Sequence, residues 1–138
     1  MKKTLKRSTI YTIIVMVAGV FYREFTKFNN FTDYSMLRII HPHIFALGAG
    51  FSLLVGLVLF NLGKDEKDLG KKWLVYHLGL AATSLMMLLR GILQVKEVIL
   101  SKGLDSALSG LAGLAHIALG VAMVMIMRNL IKLAPDKE

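Results

Sequence analysis

Four long apolar stretches alternate with short charged ones along the chain. Charge-free runs cover residues 8–22, 39–63, 73–89 and 106–127, which is 15, 25, 17 and 22 residues. A bilayer-crossing helix needs about 20 mostly apolar residues, within a range of about 17 to 25. The first run is short, but Lys6, Arg7 and Arg23 can snorkel to the headgroups and lengthen it. Hydrocarbon offers no water to backbone amides, so such runs form helices rather than open strands. A barrel would need alternating segments of about 10 residues, a pattern the chain lacks. The pattern predicts an all-α, four-helix transmembrane bundle forming a single domain, with spans near residues 8–25, 38–62, 72–94 and 106–131. Small residues four apart, such as Ala46 and Gly50, Ser109 and Gly113, and Ala118 and Ala122, are expected to let helices approach closely.

Composition agrees. Of 138 residues, 55% are hydrophobic and 19% charged, and the net charge is +8. This excludes a disordered chain, and the lack of cysteine excludes a disulfide scaffold, a thiolate zinc site, a lipoprotein anchor and covalent c-type heme. Eleven of the 17 basic residues fall on the side of the two termini, and six (Arg23, Lys27, Arg38, Arg90, Lys96, Lys102) on the other. The excess places both termini in the cytoplasm. The charge then serves topology and contact with anionic lipid rather than nucleic acid, because the basic residues flank spans. The N-terminus resembles a signal peptide, but bulky Val20, Phe21 and Tyr22 give no cleavage site, so it is read as a retained span. The connection at 23–38 is aromatic and suited to the interface, the one at 61–72 reads as a solvated turn, and the one at 90–105 as a half-apolar loop with some surface helix. The tail from Ala134 is expected to fray behind Pro135.

All four histidines, His41, His43, His77 and His116, fall inside the expected spans. An ionisable group there is costly and marks a functional site by default. At ~1.5 Å per residue, His41 and His43 lie about 5 to 8 Å in from the outer face, His77 about 8 Å in from the inner face, and His116 about 16 Å below Asp105. His41 and His43 point about 200° apart around a helix, with Pro42 between them. Ser109, Gly113 and Gly120 flank His116 at helical spacing, Ala46 and Gly50 flank His43, and Gly48 lies on the face of His41. Small residues beside histidines leave room for a flat macrocycle, and imidazole is a common axial ligand of porphyrin iron.

The segment from His41 to Gly48 reads His-x-His-x4-Gly. Together with Ala18-Gly19-Val20-Phe21-Tyr22-Arg23-Glu24-Phe25 and the Ser109 to His116 segment, it resembles a family of small four-span bacterial membrane proteins of unknown function. The resemblance covers nearly the whole chain and implies a multi-pass protein of the bacterial cytoplasmic membrane. The His-x-His-x4-Gly piece alone resembles heme–copper membrane proteins, which usually place small residues where this chain has Pro42. That likeness implies histidine-bound heme, or heme plus copper, at His41, His43 and His116. It does not extend to His77.

Three readings of the site follow. The first is heme b between spans two and four, with His116 as one axial ligand, His43 or His41 as the other, and propionates toward Arg23, Arg38 or Arg90. Its difficulty is level, because His116 counts about 8 Å deeper than His43; a later start of span four, near Leu108 or Gly110, would remove most of the gap. The second is a bare copper or zinc ion on His41, His43 and His116, with Met123 as a soft donor for Cu(I). Glu24 is the one acid near enough to reach in, and pairing with Arg23 or Lys27 accounts for it. The third is a non-catalytic partner or assembly subunit with packed, hydrogen-bonded histidines, which suits His77 beside Trp73 and Tyr76. A redox partner or a second copy is the partner expected besides lipid. No Ser/His/Asp set, phosphate loop or HExxH motif is present.

Overall fold

The computed structural model describes residues 1–135, so the end of the tail lies outside the described residues. Four antiparallel helices, α1 (Lys2–Phe28), α2 (Leu37–Asn61), α3 (Lys71–Val95) and α4 (Lys102–Leu133), are each long and apolar enough to cross a membrane. Both termini lie at one end, called here the terminal end; the 29–36 and 96–101 connections mark the loop end. The helices run past the charge-free stretches because charged residues bound the apolar zone without ending the helix. The 90–105 connection is accordingly mostly helix, and only residues 96–101 join α3 to α4. Ser101 caps α4 by accepting the Leu104 N–H at 3.4 Å.

Helix α2 is not uniform. After Pro42 it widens into a π-helical stretch, Ile44–Phe51, before returning to α geometry at Ser52–Asn61. Proline removes one backbone donor from the ladder, and π turns frequently accompany functional sites. The widened turns shift the register of every later side chain. The connection to α3 is also more ordered than a solvated turn. Asp65 and Asp68 form a reciprocal capping box on a single 3-10 turn, Glu66–Leu69, and Leu69 is fully buried. Gly63 and Gly70 both take positive φ, which allows the chain to reverse tightly there.

Two cores hold the bundle. At the terminal end Val55, Leu59, Trp73, Tyr76, Leu119 and Ile126 join α2, α3 and α4. At the loop end Leu37, Ile40, Ile44 and Met87 join α2 and α3, with Val15, Ala18 and Phe25 of α1 against them. Helix α1 packs along α2 and α3 along α4, and these are the two extensive helix pairs of the bundle. Among the glycines the close approaches occur at Gly48, Gly56, Gly79 and Gly91; of the small-residue pairs expected from sequence, Ala122 is buried in the core and the other five residues are exposed. A Cβ on Gly79 would meet the Leu119 backbone at 3.0 Å, and one on Gly91 would meet the Leu37 nitrogen at 2.6 Å. None of the α4 glycines, Gly103, Gly110, Gly113 and Gly120, has such a neighbour. The outer faces carry large apolar side chains, among them Ile13, Val17 and Val20 on α1 and Leu114, Ile117 and Val121 on α4. So large an exposed apolar surface suits lipid rather than water.

The two kinds of glycine separate in a stability test. Gly91→Ala drives a methyl group into backbone and should destabilise the detergent-solubilised protein by about 1–3 kcal/mol. Gly113→Ala enters open space and should change stability by less than about 1 kcal/mol, in the stabilising direction. Thermal unfolding of both variants checks this pair; equal losses would contradict the described packing.

Candidate functional site

Helices α2 and α4 bring two imidazoles together. The ring centroids of His43 and His116 lie 5.8 Å apart, with the planes tilted by 59°. The ring approach itself sets His116 level with His43, so the difference in depth counted from sequence is absent. The His116 Nδ1 lies 2.9 Å from the Ala112 carbonyl oxygen. A carbonyl only accepts, so this nitrogen carries the proton and Nε2 of the neutral ring keeps its lone pair. The Nε2 of His43 is buried with no hydrogen-bond partner. The His116 side chain is exposed on the outer surface of the bundle, so the pair opens sideways, toward lipid.

Thr83 lies near this pair and was not legible as a candidate. It is fully buried, and its Oγ1 has no partner. On α3 it falls between Gly79, which faces α4, and Gly91, which faces α2. Counting from those two crossings sets it level with His116 and within a turn of His43. The sequence signal was a pair of adjacent hydroxyls, Thr83 and Ser84, in an apolar run.

The other expected residues are placed as follows. His41 turns away from His43, as the two-residue spacing requires, and meets α1, where a Cβ on Gly19 would stand 3.9 Å from its Cγ. Its Nδ1 is buried without a partner. The three-imidazole set is therefore not assembled, and no group of three or more His, Cys, Asp or Glu side chains gathers among the described residues. Gly48 lies against the Tyr11 ring of α1, so it shares with His41 the side of α2 that faces α1, farther toward the terminal end. Gly113 borders the histidine pair on the open side of α4. Arg23 pairs with Glu24 at 3.5 Å on the surface, and Arg38 is exposed. Arg90 reaches from α3 to Asp105 and, at 3.1 Å, to Ser109 Oγ on α4. Ser109 is two turns above His116, about 10 Å along the helix. Arg90, Gln94, Lys102 and Asp105 border a cleft of about 290 Å³ at that height. Met123 packs against the terminal-end core rather than toward the histidines.

His77 belongs to a separate aromatic group at the terminal end. Its Nδ1 shares a 2.7 Å hydrogen bond with the Tyr11 hydroxyl, while Trp73 meets the ring edge-on at 4.5 Å. The Tyr76 hydroxyl donates to the Leu47 carbonyl inside the π stretch. Closer to the terminal surface, Arg7 lies 5.4 Å over the Trp73 ring and pairs with Glu66 at 2.7 Å. Thr4 also donates to Glu66, at 2.7 Å. The polar residues Thr4, Arg7, Ser8 and Tyr11 therefore form one face of α1 that ties it to α2, α3 and the connection between them. Their spacing of three and four residues was the available signal.

These features define a four-helix bundle of membrane-spanning type with one pair of facing histidines, His43 and His116, open on its flank. The sequence model of the family described as protein of unknown function (DUF2871) matches residues 1–133, and the chain belongs to that family. Comparisons with curated proteins and with solved structures gave no match.

Burial alone would raise the Glu66 carboxyl, but the hydrogen bonds from Arg7 and Thr4, with the Arg7 charge, outweigh it and hold the group below its ordinary 4.5. A depressed carboxyl contributes stability that is fully present above the unfolded value and is lost as pH falls through the folded one. Melting temperature should therefore drop as the pH is lowered below about 4.5. Glu66→Gln should lower stability at neutral pH and flatten that drop; an unchanged acid profile in the variant would remove Glu66 from this role.

Proposed function

We propose that the chain is a heme-b-binding protein of the bacterial cytoplasmic membrane, with both termini cytoplasmic and lipid around its outer faces. His43 and His116 are the axial ligands, and the role is redox, gas-ligand or heme-handling chemistry. The observation that carries this reading is the His43–His116 approach: 5.8 Å between ring centroids, with a free Nε2 lone pair on His116 and an unpartnered Nε2 on His43. Metal–imidazole bonds of about 2.0–2.1 Å set opposed ligating nitrogens about 4 Å apart.

The donor set favours heme over a bare ion. A zinc site takes three or four protein ligands, whereas porphyrin iron asks the protein for one or two. Two imidazoles meet here, and His41 faces a different helix. The flank is also suitable: Gly113 has no neighbour, so a flat ring can enter from the lipid side without displacing the core. Arg90, with Lys102 beside the same cleft, stands where propionates would emerge, and an arginine fork suits a carboxylate. Arg23 and Arg38 are farther candidates for the same task.

In this reading His116 is held in one tautomer by the Ala112 carbonyl, and His43 is aimed by the helix joint at Pro42. Bound heme supplies reversible one-electron chemistry or a site for a diatomic gas. Thr83 offers a buried hydroxyl at about the level of the pair. Optical spectra of the purified protein, oxidised and dithionite-reduced, test the proposal. A Soret band that shifts on reduction is expected, lost in His116→Ala and His43→Ala and kept in His41→Ala. A colourless protein after expression with added heme precursor would overturn it, and stoichiometric copper or zinc in that protein would support the bare-ion reading instead.

A further inference from the structure

Helices α1 and α3 both lean on α2 and leave a wedge between them. Polar side-chain bridges tie the wedge at both ends. Toward the terminal end the Tyr11 hydroxyl meets His77 Nδ1 at 2.7 Å. At the loop end Lys96 donates to Asn29 at 2.7 Å and lies over the Phe25 ring at 5.6 Å. Between these ties is a cavity of about 420 Å³. It spans the middle and loop-side depth of the bundle, between Val17 and Ala18 of α1 and Leu88 of α3, with Ile40 and Ile44 of α2 behind. Ligand sites are commonly about 300–1,000 Å³, apolar, with a few placed polar groups.

The wall includes one hydroxyl. Ser84 faces the cavity from α3, and its Oγ is buried with no hydrogen-bond partner. A hydroxyl left alone in hydrocarbon is costly, and a lipid acyl chain cannot satisfy it. Serine in a helix ordinarily bonds back to the preceding turn, and Thr9 and Thr12 of α1 do so at 2.9 Å. Ser84 does not. Its donor is therefore available to an occupant that is apolar enough to arrive through the membrane, flat enough for a wedge between two helices, and equipped with an acceptor oxygen.

We propose that this wedge is a lateral binding site for an isoprenoid quinone, with the ring between α1 and α3, a ring carbonyl accepting from Ser84, and the tail leaving between the helices into lipid. The proposal is independent of the histidine pair, which lies between α2 and α4. No chemical step is attached to it: the claim is occupancy. A quinone of this kind would bring a carrier of electrons within the same bundle as that pair.

The test uses the full chain in nanodiscs and a benzoquinone bearing a decyl tail. Trp73 is the single tryptophan, so its emission reports quinone bound to the protein. Quenching should saturate at one quinone per chain. Ser84→Ala, which keeps the packing, should weaken binding by about 3- to 10-fold, the loss of one hydrogen bond. Ala18→Phe, which fills the wedge, should abolish saturation, and Ser84→Ala decides the matter alone if that variant does not fold. His116→Ala should bind quinone as the parent does, even where it fails to hold heme. Quenching that rises linearly and equally in all variants would be partition into lipid and would overturn the proposal. So would a phospholipid that stays on the protein in native mass spectra and resists the quinone.

Discussion

In hydrocarbon a polar atom has no solvent to fall back on, and this constraint orders the whole molecule. Backbone groups meet it by forming helices. Side chains meet it by reaching one another across helices, and the bundle concentrates them. Thr4, Arg7, Ser8 and Tyr11 form the polar face of α1, directed at Glu66, Ala49 and His77. Arg90 finds Asp105 and Ser109. Against that thrift, the buried nitrogens of His41, His43, Trp73 and His77 and the hydroxyls of Ser52, Thr83 and Ser84 are the exceptions among the described residues. Exceptions in so apolar a setting are where ligands are to be sought.

Architecture was written plainly in the charge pattern. Four uncharged runs became four helices, and the even count sets both termini at one end. The separation of His41 from His43 also followed from a two-residue spacing, because it depends on local geometry alone. What the pattern could not carry was contact. Gly113 and Gly79 look alike in sequence, yet one is bare and the other touches the backbone of Leu119. The difference lies in which face of each helix meets a neighbour, and that is decided by the packing of all four.

A helical wheel drawn with 3.6 residues per turn puts Gly48 with His41. Both do face α1, His41 beside Gly19 and Gly48 against Tyr11, while the widened turns after Pro42 hold the Leu47 carbonyl against the Tyr76 hydroxyl. Proline announced a disturbance without announcing its kind. The levels of His43 and His116 were hidden for another reason: relative depth depends on how α2 and α4 slide past each other, which spacing within either helix does not encode.

That joint in α2 gives the helix two independent arms. One is seated by Leu37 over Gly91, the other by Gly56 over Thr4 and by the Tyr76 contact. His43 is the last residue of the first arm, immediately before the widened turns. The ring is therefore aimed by the geometry of the joint, and the gap to His116 is set at the one place where the α ladder of α2 is interrupted.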